Sequence, residues 1–141
     1  MELSLKTEYS ILALIELASN YASDQPLQIR QIASQQQIPD RYLEQLLATL
    51  RRHGFVKSQR GARGGYLLSR QPNQISILEI VVCVEGVENS DQSSSTNQLS
   101  VVRELWQASQ QAAAAVLSQA TLKDLCDRQR EKRLAAAMYY I

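Results

Sequence analysis

Residues 40 to 69 constrain the fold most, because they place a helix, a glycine and a short hairpin directly one after another. The helix is predicted from about Asp40 to His53, where Gly54 stops it. Two β-prone runs follow, at 55–58 and 66–69, around a tip with three of the chain's five glycines and two arginines, Arg60-Gly61-Ala62-Arg63-Gly64-Gly65. Such a tip suits a phosphate backbone or a minor groove, although a basic surface hairpin without DNA is an equal alternative when the tip is taken alone.

The residues before this helix favour the first interpretation. A short helix is predicted over 29–36, and Ile38-Pro39-Asp40 breaks the chain and starts the next helix. Two helices joined by a tight turn and followed by a basic hairpin make a winged helix-turn-helix. We therefore predict the helix-turn-helix at about 29–53 and the wing at about 55–69.

The predicted second helix of this motif has two contrasting faces. Its leucines fall within about 60° of arc at 100° per residue, which predicts a buried stripe made of Leu43, Leu46, Leu47 and Leu50. The opposite face, flanked by Thr49, carries side chains that can reach base edges and one that is small enough for close approach to the major groove: Arg41, Gln45, Ala48 and Arg52. An ordinary solvated face would explain each residue alone, but four in one row beside a basic wing favour DNA recognition.

The distribution of charge supports the same interpretation. The whole chain has a net charge of +1, but residues 41–63 hold six cations and a single anion, Glu44, for a net charge of +5. The remaining residues therefore sum to −4. A basic segment on an acidic body is typical of nucleic-acid binding.

The rest of the chain is predicted to be helical, so the fold class is mainly α with a small β-hairpin wing. A first helix runs from Leu3 to about Tyr21, with Leu5, Tyr9, Leu12 and Ile15 buried by several partners. Ser76 and Glu79 have capping-box spacing and open a buried helix that Gly86 closes. A polar loop over 87–98, a long helix over 99–120, and two short helices from Thr121 and from Arg128 to Ile141 complete the chain.

The long helix predicts a homodimer. Its 22 residues would span about 33 Å, more than the preceding body can cover. The residues expected to face a second copy share one wide apolar side: Leu99, Val102, Leu105, Trp106, Ala113, Val116 and Leu117. An intrachain helix hairpin with the C-terminal segment is the alternative. The predicted domains are thus a DNA-binding domain over 1–86 and a dimerisation and C-terminal helical segment over 99–141, separated by the polar loop.

With these elements in place, the chain resembles the Rrf2 family of bacterial transcription regulators over nearly its whole length. The matching pieces are each weak but are specific together: Leu3-Ser4-Leu5-Lys6 with Tyr9, Ile38-Pro39, Tyr42-Leu43-Glu44-Gln45-Leu46-Leu47, Leu50-Arg51, Gly54-Phe55-Val56, Ser58, Arg60-Gly61, Gly64-Gly65-Tyr66-Leu67-Leu68 and Ile75-Ser76-Ile77-Leu78-Glu79-Ile80. The resemblance implies a homodimer on a near-palindromic operator, with recognition helices in successive major grooves of double-stranded DNA and wings in minor grooves.

The resemblance also implies roles for single residues. Glu44 and Gln45 lie at base-reading positions, Arg60 at the minor-groove position of the wing, and Lys6 and Arg51 at positions for backbone contacts. A carboxylate such as Glu44 is best matched by a cytosine amino group, but it could equally pair with Arg41 or Arg51 within the helix. The full predicted DNA-binding set is Lys6, Arg41, Tyr42, Glu44, Gln45, Ala48, Arg51, Arg52, Arg60, Gly61, Arg63, Gly64 and Gly65.

The predicted sensing end departs from the family's iron–sulfur members, which carry three closely spaced cysteines in the loop before the long helix. Residues 88–98 contain no cysteine, and the chain has two cysteines, Cys83 and Cys126, and one histidine, His53. We therefore predict no metal and no cofactor, with Cys83 a core residue and Cys126 structural or partly exposed. A cluster held by both thiols and an oxygen ligand such as Glu8 is the alternative.

Other function classes are disfavoured. The chain has no Gly-rich phosphate loop after a strand and no histidine–carboxylate pair at metal spacing, so we do not expect an enzyme. Its apolar runs are shorter than the roughly 20 residues of a membrane span, and no secretory signal is evident, so a cytoplasmic protein without membrane contact is expected. The alternatives left open are a protein-interaction module that regulates an enzyme, and control by a small-molecule effector, a protein effector or a thiol switch.

Overall fold

Helix α1, Leu5–Ser19, forms the centre of the structure, a computed structural model that describes residues 3–86 and 100–139. Ser4 caps it by accepting a 3.1 Å hydrogen bond from the backbone N–H of Thr7. The elements that follow are α2 Ile29–Gln36, α3 Asp40–Arg52, β1 Val56–Gln59, β2 Gly65–Leu68, α4 Ile77–Glu85, α5 Val101–Gln119 and α6 Leu122–Tyr139, with short 3₁₀ turns at Tyr21–Ser23 and Pro72–Gln74. The predicted fold class, mainly α with a β-hairpin wing, is confirmed.

The core surrounds α1, which packs against α2, α3, α4 and α6. Ala13 and Leu14 are completely buried there, and Ile15 is buried as predicted. The prediction was wrong for Leu5, which is 61% exposed because it lies in the first turn, before the helix enters the core. The helix is also shorter than predicted, since it ends at Ser19 and continues as a 3₁₀ turn.

The two helices of the helix-turn-helix form where they were predicted. Gln37 ends α2 in the left-handed conformation with φ 56°, and Ile38 turns into the core with 4% exposure. Pro39 precedes α3, which ends at Arg52 with His53 as its cap. Gly54 follows with φ 81°, a conformation that favours glycine, and sends the chain into β1.

The predicted capping box of α4 is present. The Glu79 N–H donates to Ser76 Oγ at 3.2 Å, and the Ser76 N–H donates to Glu79 Oε2 at 2.9 Å. Ile77 and Ile80 are buried, and Gly86 ends the helix as predicted. The predicted polar loop over 87–98 lies outside the described residues.

The C-terminal segment differs from the prediction, because α6 is one continuous helix and not two short ones. No glycine or proline interrupts 122–139, so nothing in the sequence ends the helix at Arg128, and Lys123 and Asp127 form a 3.1 Å ion pair one turn apart just before that position. Two backbone hydrogen bonds of 2.9 Å, from Ile77 N–H to the Ala120 carbonyl and from Leu122 N–H to the Ile75 carbonyl, fix the start of α6.

The position of α6 also overturns the intrachain alternative for the long helix. Helix α6 packs along α1, while α5 packs against α4, so α5 and α6 do not pair along their length as a helix hairpin in the described residues. None of the α5 residues is fully buried. No helix in the described ranges is both long and apolar enough to cross a membrane.

Candidate nucleic-acid interface

Helix α3 presents the two faces that its sequence predicted. The four leucines of the predicted stripe are buried, with exposures between 0% and 4%. The predicted recognition side chains are all exposed: Arg41, Gln45, Ala48 and Arg52. Tyr42 and Glu44 are exposed beside them, and Thr49 is half-buried. Packing of the leucines therefore fixes which side of α3 a ligand can reach.

Lys6 is exposed in the first turn of α1, whose next turn contacts the start of α3. Tyr9, one turn after Lys6, meets Tyr42 with ring centroids 6.1 Å apart at an angle of 59°. The hydroxyls of Ser4 and Thr7 both donate to the Glu85 carboxylate at the end of α4, and these bonds lower the pKa of Glu85.

The C-terminal end of α3 is joined to the wing. Arg51 Nη1 donates a 3.1 Å hydrogen bond to Ser58 Oγ in β1, and Arg52 Nη2 donates to Thr49 Oγ1 at 3.2 Å within the helix. Both guanidiniums thus have partners that hold them on the exposed side of the motif. The predicted backbone role of Arg51 stays a prediction.

Glu44 does not pair within its helix. In the described part of the chain it forms no ion pair with Arg41 or Arg51. Its exposed carboxylate is therefore accessible to a donor from outside the chain.

The wing is an antiparallel hairpin in which Val56 pairs with Leu68 and Gln59 pairs with Gly65. Its tip, residues 60–64, extends from the body with Arg60, Gly61 and Arg63 exposed. Gly61 has φ 113° and an open environment, so glycine is required there by the turn itself.

The next two glycines are explained by contacts within the chain. A Cβ on Gly64 would lie 2.3 Å from the Gln59 carbonyl oxygen, and one on Gly65 would lie 2.4 Å from the Leu27 carbonyl oxygen. Gly64 is buried and Gly65 half-buried. A DNA contact through these two residues stays a prediction.

Leu27 adds a third segment to the wing that the sequence did not indicate. Its N–H donates to the Tyr66 carbonyl at 2.9 Å, and the Tyr66 N–H donates back at 2.8 Å. The Gln28 side-chain amide also reaches the Ala62 carbonyl at 3.5 Å. The wing is therefore joined to the start of α2 as well as to the end of α3.

The exposed cations of this surface are free to attract a negatively charged ligand. Within residues 3–86, no acidic oxygen lies within 4.0 Å of the side-chain nitrogens of Arg41, Arg52, Lys57, Arg60 or Arg63. Unpaired cations on a helix face and on an adjoining hairpin tip form an attractive field for a polyanion.

Comparison with known proteins identifies the family of this chain. The family model described as an iron-dependent transcriptional regulator, Rrf2, matches residues 3–128. The chain belongs to the Rrf2 family. The HTH-type transcriptional regulator CymR of Bacillus subtilis is 36% identical over 144 residues, which covers 100% of both chains.

Solved Rrf2-type structures share the fold. The structure of T. potens IscR superposes with a TM-score of 0.81 at 34% identity and covers 94% of this chain and 90% of that one. The structure of CymR, described as the global cysteine regulator of B. subtilis, gives a TM-score of 0.79 at 35% identity and covers 91% of this chain and 98% of that one. This Rrf2 chain is accordingly a winged-helix DNA-binding regulator.

The Rrf2 description raises the question of iron, and the cysteine and histidine donors of this chain do not fit an iron–sulfur cluster. The sequence has two cysteines and one histidine, and the thiols lie in different helices, Cys83 half-buried in α4 and Cys126 buried in α6. Burial raises the pKa of both thiols, which disfavours the thiolate that binds iron. No group of three metal-binding side chains occurs in the described ranges.

The predicted dimer face of this Rrf2 chain is largely uncovered. Val102, Leu105, Trp106 and Val116 are between 57% and 72% exposed. Ala113 and Leu117 are half-buried, and Leu99 lies outside the described residues. Several large apolar side chains on one exposed helix are typical of a surface that another protein chain covers.

Proposed function

We propose that this Rrf2 protein binds a specific, near-palindromic operator as a homodimer. The observation that carries the proposal is the continuous surface on which the α3 face and the wing tip present unpaired cations and amide groups. The two parts are joined by the Arg51–Ser58 hydrogen bond, so they would meet one duplex together.

In the proposed complex, α3 lies in the major groove. Arg41 can donate to guanine, Gln45 can bond adenine in two places, and Glu44 can accept from a cytosine amino group. Ala48, one turn after Gln45, is small enough to let the helix backbone approach the base edges. Arg60 at the exposed wing tip lies over the adjoining minor groove, where the negative potential of a narrow groove attracts a guanidinium.

The proposed second copy pairs along α5. Its exposed apolar side chains would be removed from water in the dimer, at about 25 cal/mol per Å² of buried surface. A two-fold dimer places two copies of α3 on the same side of a duplex, which is why we expect a near-palindromic operator.

The decisive experiment is selection of binding sites by the purified protein from a randomised duplex library. We expect enrichment of a near-palindrome whose half-sites are about one helical turn apart. If no sequence is enriched and the protein binds all duplexes alike, the specific-regulator proposal fails and an interaction module becomes the better explanation.

Arg60→Ala tests the wing on the selected duplex. Loss of one minor-groove cation should lower affinity about tenfold and reduce the salt dependence by roughly one ion. Lys132→Ala, an exposed cation of α6, is the matched control and should leave both unchanged. If both variants bind with the same affinity and the same salt dependence, Arg60 is not part of the DNA interface.

We also propose that the protein acts without a bound iron–sulfur cluster. The support is the donor set: two thiols with raised pKa on different helices. Protein purified without oxygen should be colourless and should bind the selected duplex. Stoichiometric iron and sulfide with visible absorption would overturn this.

An effector, small molecule or protein, is then favoured over a thiol switch, because burial keeps both thiols protonated. An open cavity of about 360 Å³ between the end of α1 and α6 offers one location for a small molecule. Tyr21, Cys126 and Arg130 are among its lining residues. Iodoacetamide should label the folded protein slowly at both cysteines; rapid labelling would restore the thiol switch.

A further inference from the structure

A polar cluster joins the C-terminal helix to the helix-turn-helix. We define the Gln36 cluster as Glu16 of α1, Gln36 of α2, and Gln129 and Arg133 of α6. Gln36 Nε2 donates to Glu16 Oε1 at 2.9 Å and to Gln129 Oε1 at 3.3 Å, and Gln129 Nε2 donates back to Gln36 Oε1 at 3.4 Å. Arg133 Nη2 lies 3.7 Å from Glu16 Oε1.

Gln36 lies at the point where the first helix of the helix-turn-helix ends and the turn to α3 begins. Gln36 is the last residue of α2, and Gln37 directly after it adopts φ 56° to start the turn into α3. The side chain that ends the first helix of the motif is therefore held by a helix 93 residues further along the chain. The orientation of α3 relative to the body depends on where this turn begins.

The contacts are directional and partly shielded from water. The Glu16 side chain is 12% exposed, and Gln36 and Gln129 are half-buried. Apolar packing of α1 against α6 tolerates small sliding, whereas the paired amides, already 3.3 and 3.4 Å apart, tolerate little before the hydrogen bonds break. The cluster is thus suited to fixing a position more than to adding net stability.

The other end of α6 is fixed to the body and follows α5 directly. Leu122 is bonded to Ile75 just before α4 and Ala120 to Ile77 at the start of α4, so movement at the α5–α6 junction would be transmitted along one rigid helix to Gln129 and Arg133.

We propose that the Gln36 cluster positions the helix-turn-helix for operator binding, so that the placement of α6 sets the affinity of α3 for its site. Glu16, Gln36, Gln129 and Arg133 are positioning residues that do not contact DNA. This inference rests on the proposed function, and its test includes a measurement made without DNA.

The test compares Gln36→Ala, Gln129→Ala and their double variant with two controls. Gln35→Ala changes the neighbouring, exposed glutamine of α2, and Lys132→Ala changes the cation next to Arg133. The side chain of neither control residue makes a hydrogen bond or ion pair in the described residues. Affinity is measured for the duplex selected by the wild type and for a scrambled duplex, with melting temperature and amide hydrogen exchange of the free protein.

We expect each cluster variant to lose about fivefold in affinity for the selected duplex and little for the scrambled one. The double variant should lose no more than either single variant, because the two amides act as one unit. Backbone amides over residues 37–43 should exchange faster in the free variants, while the controls match the wild type.

Three results would overturn the inference: equal losses on both duplexes, additive losses in the double variant, or unchanged exchange over 37–43 in the free protein. A wild type that selects no sequence would refute the proposed function instead, and the exchange measurement would still decide whether α6 constrains the turn.

Discussion

At the scale of single residues, Gly65 is required by the backbone structure at the base of the wing. Its φ of 151° and the 2.4 Å approach of a Cβ to the Leu27 carbonyl oxygen both require glycine. The position of the basic tip therefore depends on the pairing of Leu27 with Tyr66 as well as on the hairpin.

Gly65→Ala is predicted to break this pairing. A methyl group would push β2 away from Leu27, and we expect a loss of about 1–3 kcal/mol in the free energy of unfolding, measured in urea. Gly61→Ala is the control, since φ there is also positive, at 113°, but no atom lies within 4 Å of the added Cβ. If both variants lose the same free energy of unfolding, then backbone strain, and not the contact with Leu27, explains why glycine is required at position 65.

At the scale of elements, the capping box of α4 stabilises a helix that stands between the DNA-binding part and α5. The hydrogen bond from the Ser76 N–H is the largest cause that lowers the pKa of Glu79, and Arg70, which lies 3.2 Å from its carboxylate, adds to it.

Glu79→Gln is predicted to remove a pH-dependent part of the stability. Because folding lowers the pKa of Glu79, its ionised form stabilises the protein above the ordinary glutamate pKa, and this stabilisation is lost as the pH falls through the lowered value. The side chain is 43% exposed, so solvent screening limits the effect to about 1 kcal/mol or less. Urea unfolding at neutral and acidic pH should show the two proteins converging in acid; a constant difference would contradict the prediction.

Elements set by local chemistry could be predicted, and those set by distant contacts could not. Three predicted features depend only on residues close together in the sequence: the leucine stripe of α3, Gly54 and the Ser76 capping box. The structure confirms all three. The predicted helix boundary at Arg128 was wrong because neither glycine nor proline lies there to end the helix.

The same limit applies to the candidate site. Exposure of the Arg41 face follows from helical periodicity, so the sequence indicated it. Two contacts join segments that are far apart in sequence: the bridge from Leu27 to Tyr66 and the contact of Gln36 with Gln129. No rule based on residue spacing predicts such pairs.

At the scale of the whole molecule, the exposed apolar face of α5 predicts that two copies of the chain associate. Leu105→Asp places a charge in the centre of the proposed interface and should shift the protein from dimer to monomer in light scattering after gel filtration. Gln107→Asp adds the same charge to an exposed polar position of α5 and should stay dimeric. A Leu105→Asp protein that keeps the dimer mass would place the interface elsewhere.

Trp106 gives this surface an optical signature, because it is the sole tryptophan of the chain and it is 57% exposed on α5. Indole emission in the unmodified protein therefore reports on the first half of the long helix and on nothing at the DNA-binding end. Dilution that separates two folded copies should move the emission to longer wavelength while the helical circular dichroism signal stays constant. Assembly and folding can thus be followed independently, without attaching a label.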